Sequence, residues 1–359
     1  MKNITPQLLA FASASALAFL SGVTSSSAQT VATVPAGAVT VTIAAGTGTV
    51  FTQTPFSAPL LTTVGVAGQA NGRITAVGAS TITNSAAGWT DSALATLGNP
   101  YFINFRSGAN AGRMFQITAN TATQLTVNPQ SLDLTTLGFV VGASGDSYEI
   151  VQGDTILGIL GTTANGVVGG TSTQFNAGTV DRVLVTDPAS GSTFSYYFDT
   201  SVSQWRRAGS GVNQGNLVVS PKSGLNYFRI ANTAITLQFL GNAPSTASKH
   251  QIPTIGTTIV SNYFPTDTTL AGLNIDNIVG WRKANESGVT VATSDKVVLR
   301  VSGIYYSYWF DASLTQWRRA GSSLNQSGVS VPTGAAIRFV RSGSSGTSTW
   351  DTIRPYALN

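Results

Sequence analysis

Residues 196–214 read YYFDTSVSQWRRAGSGVNQ, and residues 308–326 read YWFDASLTQWRRAGSSLNQ; thirteen of the nineteen positions are identical. Identity at that level marks a duplicated unit, and a spacing of 112 residues means duplicated domains rather than a solenoid of short repeats. Each copy reads as a β-hairpin. Strand alternation puts Trp205 and Arg207 on one face and Gln204 and Arg206 on the other. Asp199 opens the turn, where a carboxylate bonds the backbone two residues on.

Working outward from the first hairpin, short runs bounded by Gly, Pro, Asn or Ser predict strands over 182–186, 194–198, 204–207, 217–219, 225–230 and 235–240. The second copy repeats the scheme from 296–301 through 336–341. Short strands at this spacing predict an all-β chain of tandem antiparallel β-sandwich or small-barrel domains, with a duplicated C-terminal unit.

Upstream, 39–43 alternates VTVTI as a half-buried strand, and YFINF at 101–105 reads as a well-buried one. Two hairpin-like segments start at Gly72 (GRITAVGASTITN) and Gly112 (GRMFQITANTATQLTVN). The glycines of the loop RSGANAG, 106–112, suit positive φ or close backbone approach; a plain turn is favoured over an anion held by its amides. Short helices are expected only at 132–137 and 155–160. The Gly-rich stretch 161–178 is placed as a domain boundary, and GNAPSTASKHQIP, 241–253, with two prolines and no periodicity, as a linker. The expected division is a signal peptide 1–28, an N-terminal β-rich domain 29–160, and two copies of the duplicated domain, 161–253 and 254–359.

The leader reading rests on Lys2, the apolar run 8–20 interrupted only by Ser13 and Ser15, and the small residues Ser26 and Ala28 before the cleavage point. The run is shorter than the ~20 residues of a membrane span, and no later stretch approaches that length. The expectation is an exported protein, extracellular, at the cell surface or in the periplasm, with no transmembrane segment in the mature chain. There is no cysteine, which excludes disulfides and thiolate chemistry. Charged residues are 9% of the chain against about 25% on average, so hydration falls to Ser, Thr, Asn, Gln and Gly. Residues 181–359 hold fifteen basic and nine acidic side chains. That dispersed excess reads as ordinary solvated positions, and nucleic acid is not expected as a partner.

A further set of motifs runs in order along the chain: S-G-A-x-A-G-R at 107–113, then ITANTATQLTV at 117–127, G-D-S-Y-E-I at 145–150 and D-x-V-L-V at 181–185. After them come F-D-x-S-x-x-x-W-R-R-A-G and the P-x-S-G turn at 221–224. Together they resemble a family of exported, β-rich bacterial proteins, often several paralogues to a genome, that has no assigned activity. The resemblance covers most of the mature chain and implies export and a β-rich fold. It transfers no catalytic or binding residue. The chain differs from that pattern in its second W-R-R-A-G block, whose turn reads Pro332-Thr333-Gly334 without the serine.

Catalytic signatures are sparse. His250 is the one histidine and reads as a surface residue of the linker; there is no G-x-S-x-G elbow, no phosphate loop and no calcium loop. No catalytic residue, metal ligand or cofactor is therefore predicted. The repeated motif has two readings. In one, Phe198 and Trp205 pair across strands in the core and an arginine pairs with Asp199. In the other, Tyr196, Trp205, Arg206 and Arg207, with Tyr308, Trp317, Arg318 and Arg319, form two exposed platforms for sugar rings. The core reading is favoured because hairpin aromatics are usually buried. The functional expectation is a secreted, non-enzymatic structural or adhesive protein of the cell surface or extracellular matrix. A carbohydrate-binding pair using the two Trp-Arg hairpins comes next and an extracellular glycan hydrolase third. The expected partners are a polysaccharide or other cell-surface polymer, or a second copy of the chain.

Overall fold

Both hairpins form, and their turns show why. A computed structural model describes residues 36–63, 66–186, 192–286 and 288–357; the expected signal peptide lies outside them. Thr193–Asp199 pairs antiparallel with Gln204–Arg207, setting Phe198 opposite Trp205 and Asp199 opposite Gln204. The Asp199 carboxylate accepts from the Ser201 amide at 3.0 Å and its hydroxyl at 2.5 Å, and Ser203 takes a left-handed φ of 54° to close the turn. The second hairpin, Ile304–Asp311 with Gln316–Arg319, uses Asp311, Ser313 and Thr315 in the same way, with hydrogen bonds of 3.1 and 2.7 Å and φ 49°.

Each hairpin is one end of an open five-stranded antiparallel sheet with the same strand order. The first runs Gln204–Arg207, Thr193–Asp199, Arg182–Thr186, Leu225–Arg229, Thr52–Phe56; the second runs Gln316–Arg319, Ile304–Asp311, Lys296–Val301, Ala336–Thr352, Ser248–Ser261. The correspondence continues beyond the sheets. A short ladder joins Asp154–Thr155 to Val218–Val219, as another joins Thr268–Thr269 to Ser330–Val331. Parallel bridges tie Gly170 to Asp199 and Ala284 to Asp311.

The outer strand of the first sheet comes from far upstream. Thr52–Phe56 pairs with Leu225–Arg229, and Ala36–Ile43 pairs with Ile235–Asn242. In the second repeat one strand, Ser248–Ser261, serves both roles against Ala336–Thr352, with a register shift between Pro253 and Ile255. The first repeat is thus built from 36–56 and 154–242. Residues 62–152 form a nine-stranded sheet inserted into it. The expected division at 160/161 runs through packed structure, because Ile156, Ile159 and Leu160 of the helix Ile156–Leu160 belong to the first-repeat core. The expected linker 241–253 enters the strand Ser248–Ser261, and a helix, Ser172–Asn176, forms inside the Gly-rich stretch 161–178.

Three cores result. The first repeat packs Ile43, Phe56, Ile156, Trp205 and Tyr227 together; the second packs Leu270, Trp281, Trp317, Phe339 and Trp350; the inserted sheet packs Trp89, Phe105, Phe115 and Tyr148. A small fourth cluster, including Phe102, Met114, Val151, Tyr263 and Phe264, lies where all three meet.

Each repeat also holds a buried ion pair that ties its strands to the preceding loop. Asp181 accepts from Arg229, Tyr227, and the amides of Val168 and Ile230, while Arg229 donates to the Gly166 carbonyl at 2.6 Å. Asp295 accepts from Arg341 at 2.7 Å and from the amides of Arg282 and Ser342, while Arg341 donates to the Gly280 carbonyl at 3.0 Å. Buried charges are tolerated when they are paired and their remaining valences filled, as both are. Burial, with Asp181 alongside, drives the Tyr227 hydroxyl well above its usual pKa.

The two repeats grip each other reciprocally. The 221–224 turn of the first docks on the outer strand of the second, Ser261 N–H donating to Lys222 O at 3.0 Å and Gly224 N–H to Ile259 O at 3.3 Å. The 332–335 turn of the second docks on the first, its Gly334 and Ala335 carbonyls accepting from Ser57 N–H at 2.7 Å and Ser57 Oγ at 3.0 Å.

Candidate functional site

The eight residues singled out from the repeated motif are used to build the hairpins. Trp205 and Trp317 are 1% and 0% exposed, and Tyr196 and Tyr308 are buried with them. The indoles meet Phe198 and Phe310 edge to face, at 5.9 and 5.6 Å between ring centroids. Trp205 Nε1 donates to the Gly161 carbonyl at 2.8 Å; Trp317 Nε1 has no acceptor among the described residues, and its ring packs on Trp281 at 6.2 Å. Arg206 and Arg318 pair with Asp199 and Asp311 at 3.0 and 3.4 Å. The Ser201 hydroxyl, helped by its amide and Arg206, holds the Asp199 carboxyl below the ordinary carboxylate range. At Asp311 burial pushes upward, but Ser313, Asn285 and Arg318 together outweigh it. Arg207 and Arg319 lie over Phe194 and Tyr306, 4.6 and 4.2 Å from the ring centroids. No aromatic face of this set is free to receive a sugar ring.

The unexplained chemistry lies instead where the three cores meet, around Lys222 in the P-x-S-G turn. Its ammonium donates to two main-chain carbonyls, Gly112 O of the inserted sheet and Lys249 O of the second repeat, the latter at 2.9 Å. It also stands 5.2 Å from the ring centroid of Tyr263. One side chain of the first repeat thereby fastens both other parts. Among the described residues no carboxylate forms an ion pair with it. Burial, with Arg113 and Lys249 nearby and only Asp351 opposing, lowers the amine well below its ordinary pKa.

Gly112 makes this contact feasible. Its φ is +82°, and a Cβ there would strike the Ala247 carbonyl, so the loop 106–112 supplies the close backbone approach its glycines suggest. Next to it, Arg113 reaches Asn110 at 3.0 Å, Thr349 at 3.3 Å and Gln251 at 3.4 Å, crossing from the inserted sheet to the second repeat. Burial lowers its pKa despite the attraction of Asp351.

No protein-family model, curated protein or solved structure matches this chain. The site therefore stands on its own geometry.

His250 departs from its expected place as a surface residue of a linker. It is 3% exposed, tilted against Trp350 with centroids 4.7 Å apart and edge-on to Tyr263 at 6.0 Å, with Nε2 lacking a partner among the described residues. Burial first and Lys222 second press its pKa well below the ordinary imidazole value. Lys222, Lys249 and His250 line a cavity of about 240 Å³ together with Gln130, Ser131 and Thr258. Gln130 and Ser131 are successive non-glycine residues with left-handed φ, 53° and 69°. They are the two central residues of a tight turn closed by Leu132 N–H donating to Pro129 O at 3.0 Å.

Sequence reasoning missed this junction because Lys222 and His250 are partnered by main chain and aromatic rings, which leave no motif. One signal was available. The equivalent turn of the second repeat, 332–334, has no lysine, so the repeat fold does not require Lys222. Among the described residues no group of three or more His, Cys, Asp or Glu is placed to hold a metal ion. No helix among them is long and apolar enough to cross a membrane.

Proposed function

We propose that this is an exported, non-enzymatic β-scaffold that works by contact, as a structural or adhesive protein of the cell surface or extracellular matrix. The observation that carries the reading is a pair of exposed aliphatic residues kept at the same hairpin positions in both repeats. Val202 and Leu314 are 42% and 51% exposed, and Val212 and Leu324 are 62% and 69%. A single exposed aliphatic is ordinary. The same pair presented twice gives two apolar contact points on one rigid body, and two weak contacts on one body add as avidity. The sparse charge of the chain favours the same use, since little desolvation of ions opposes contact.

A glycan hydrolase needs two facing carboxylates. Among the described residues, one cavity wall holds Asp351 and another holds Asp154, each a single carboxylate. The test of the adhesive reading is the quadruple variant Val202→Asn, Val212→Asn, Leu314→Asn, Leu324→Asn. Retention on producer cells and self-association by sedimentation should both fall while the circular dichroism spectrum stays that of the parent. Unchanged retention and unchanged sedimentation would sink it.

A further inference from the structure

We propose that the cavity at the three-way junction binds a small hydroxylated carboxylate of the acidic-monosaccharide class. The charge balance comes first. Lys222 and Lys249 line the cavity and Arg113 stands behind Gln251 of its wall, while the nearby carboxylate, Asp351, is already paired with Lys249 at 2.8 Å. An anion entering here meets Lys222, which no carboxylate pairs among the described residues, and hydrogen bonds from a cationic donor are the strong ones.

The wall supplies the second half of the match. Ser131, Ser223, Thr258 and Thr347 bring hydroxyl groups, and Met114 and Ile259 bring an apolar surface. A lining of hydroxyl and aliphatic groups suits the edge and face of a sugar ring better than it suits a bare inorganic anion. The volume, about 240 Å³, is below the ~300 Å³ at which pockets for drug-sized ligands begin, so one ring fits and a longer ligand must leave through the mouth. Gln130 and Ser131 shape its rim, their left-handed φ values being those of the two central residues of a turn closed by Leu132 N–H donating to Pro129 O at 3.0 Å. The matching turn of the second repeat has no lysine, so the half-buried Lys222 is particular to this junction.

The site would deepen the adhesive reading by naming an acidic polymer as partner, yet it involves none of the exposed aliphatic residues, so either idea can fail alone. The ligand chemistry has two sources, a free uronic acid or the terminal residue of a polyuronate. Titration calorimetry on the full chain separates them, with galacturonate, trigalacturonate, galactose and acetate as probes. Galacturonate should bind at one site, with galactose and acetate each weaker by about tenfold or more. Trigalacturonate binding at least as tightly as the monomer identifies the polymer end; binding of the monomer alone identifies the free acid. Lys222→Met should abolish binding. Should that variant fail to fold, Lys249→Gln and Thr258→Val should each weaken binding several-fold. Ser131→Gly should raise the unfolding midpoint by relieving φ strain and still lower affinity. Galactose binding as well as galacturonate, no heat from either acid at millimolar concentration, or unaltered affinity in the wall variants overturns the proposal.

Discussion

His250 makes stability depend on pH in a way that one substitution can isolate. The chain has a single histidine, so imidazole titration has one source. In the folded protein His250 lies between Trp350 and Tyr263 with Lys222 as the charged neighbour, and burial followed by that cation lowers its pKa well below the ordinary value. The unfolded chain protonates at the usual pKa near 6.5. Between that value and the lower folded one, the unfolded state binds a proton that the folded state refuses, so stability is complete above pH ~6.5 and falls as pH drops. With the folded pKa below the range probed, going from about pH 7.5 to about pH 5.5 should cost about 1.4 kcal/mol, a measurable part of a typical 5–15 kcal/mol.

The assay is urea unfolding at several pH values for the wild type and His250→Phe. Phenylalanine keeps a ring against Trp350 and removes both the titration and the unpartnered Nε2. Lys222 also has a lowered pKa, and Tyr263 a raised one, but both remain in the variant, so their contributions cancel in the difference between the two curves. The variant should be flatter by the stated amount and at least as stable at the acid end. Parallel curves would refute the account of His250 as a buried neutral imidazole.

Two further outcomes probe the repeats. Asp181→Asn and Asp295→Asn should each lower stability by about 3–5 kcal/mol, read as a shifted urea midpoint, because each leaves a buried arginine without its counter-ion; a loss under about 1 kcal/mol would show the pairs to be dispensable. Trp205→Phe should cost about 1 kcal/mol more than Trp317→Phe, since only Trp205 Nε1 has a hydrogen-bond acceptor, and the reverse order in chemical unfolding would remove that bond from the account.

The all-β class and the hairpin interiors were legible because they depend on side-chain alternation and turn chemistry. The strands Arg182–Thr186, Gln204–Arg207 and Lys296–Val301 have the bounds the residues suggested, and the expected helix near 155–160 forms at Ile156–Leu160. The full extent of the repeat was not legible. Thr52–Phe56 and the 257–261 end of Ser248–Ser261 occupy the same outer position through main-chain pairing, which TQTPF and TTIVS satisfy equally without resembling each other. Ser248–Ser261 was hidden for another reason. Its inward positions begin Ser248, His250, Ile252, and an alternation that buries polar residues looks like a linker.

The two copies nevertheless act as an internal comparison that separates what the fold demands from what it does not. The buried Asp–Arg pair, the Asp-capped turn and the core tryptophan occur in both, each with a packing or hydrogen-bonding reason. The exposed aliphatics at 202 and 314, and at 212 and 324, also occur in both, yet no core holds them, as the proposed contact role would require. Lys222 is the opposite case, present once, half-buried, and bonded to parts of the chain that only the first repeat's turn reaches. The reciprocal turn-to-strand docking of the repeats forms without a lysine on the other side. An ammonium absent from the other copy, placed at the wall of a cavity shared by three cores, is therefore where chemistry specific to this chain is to be sought.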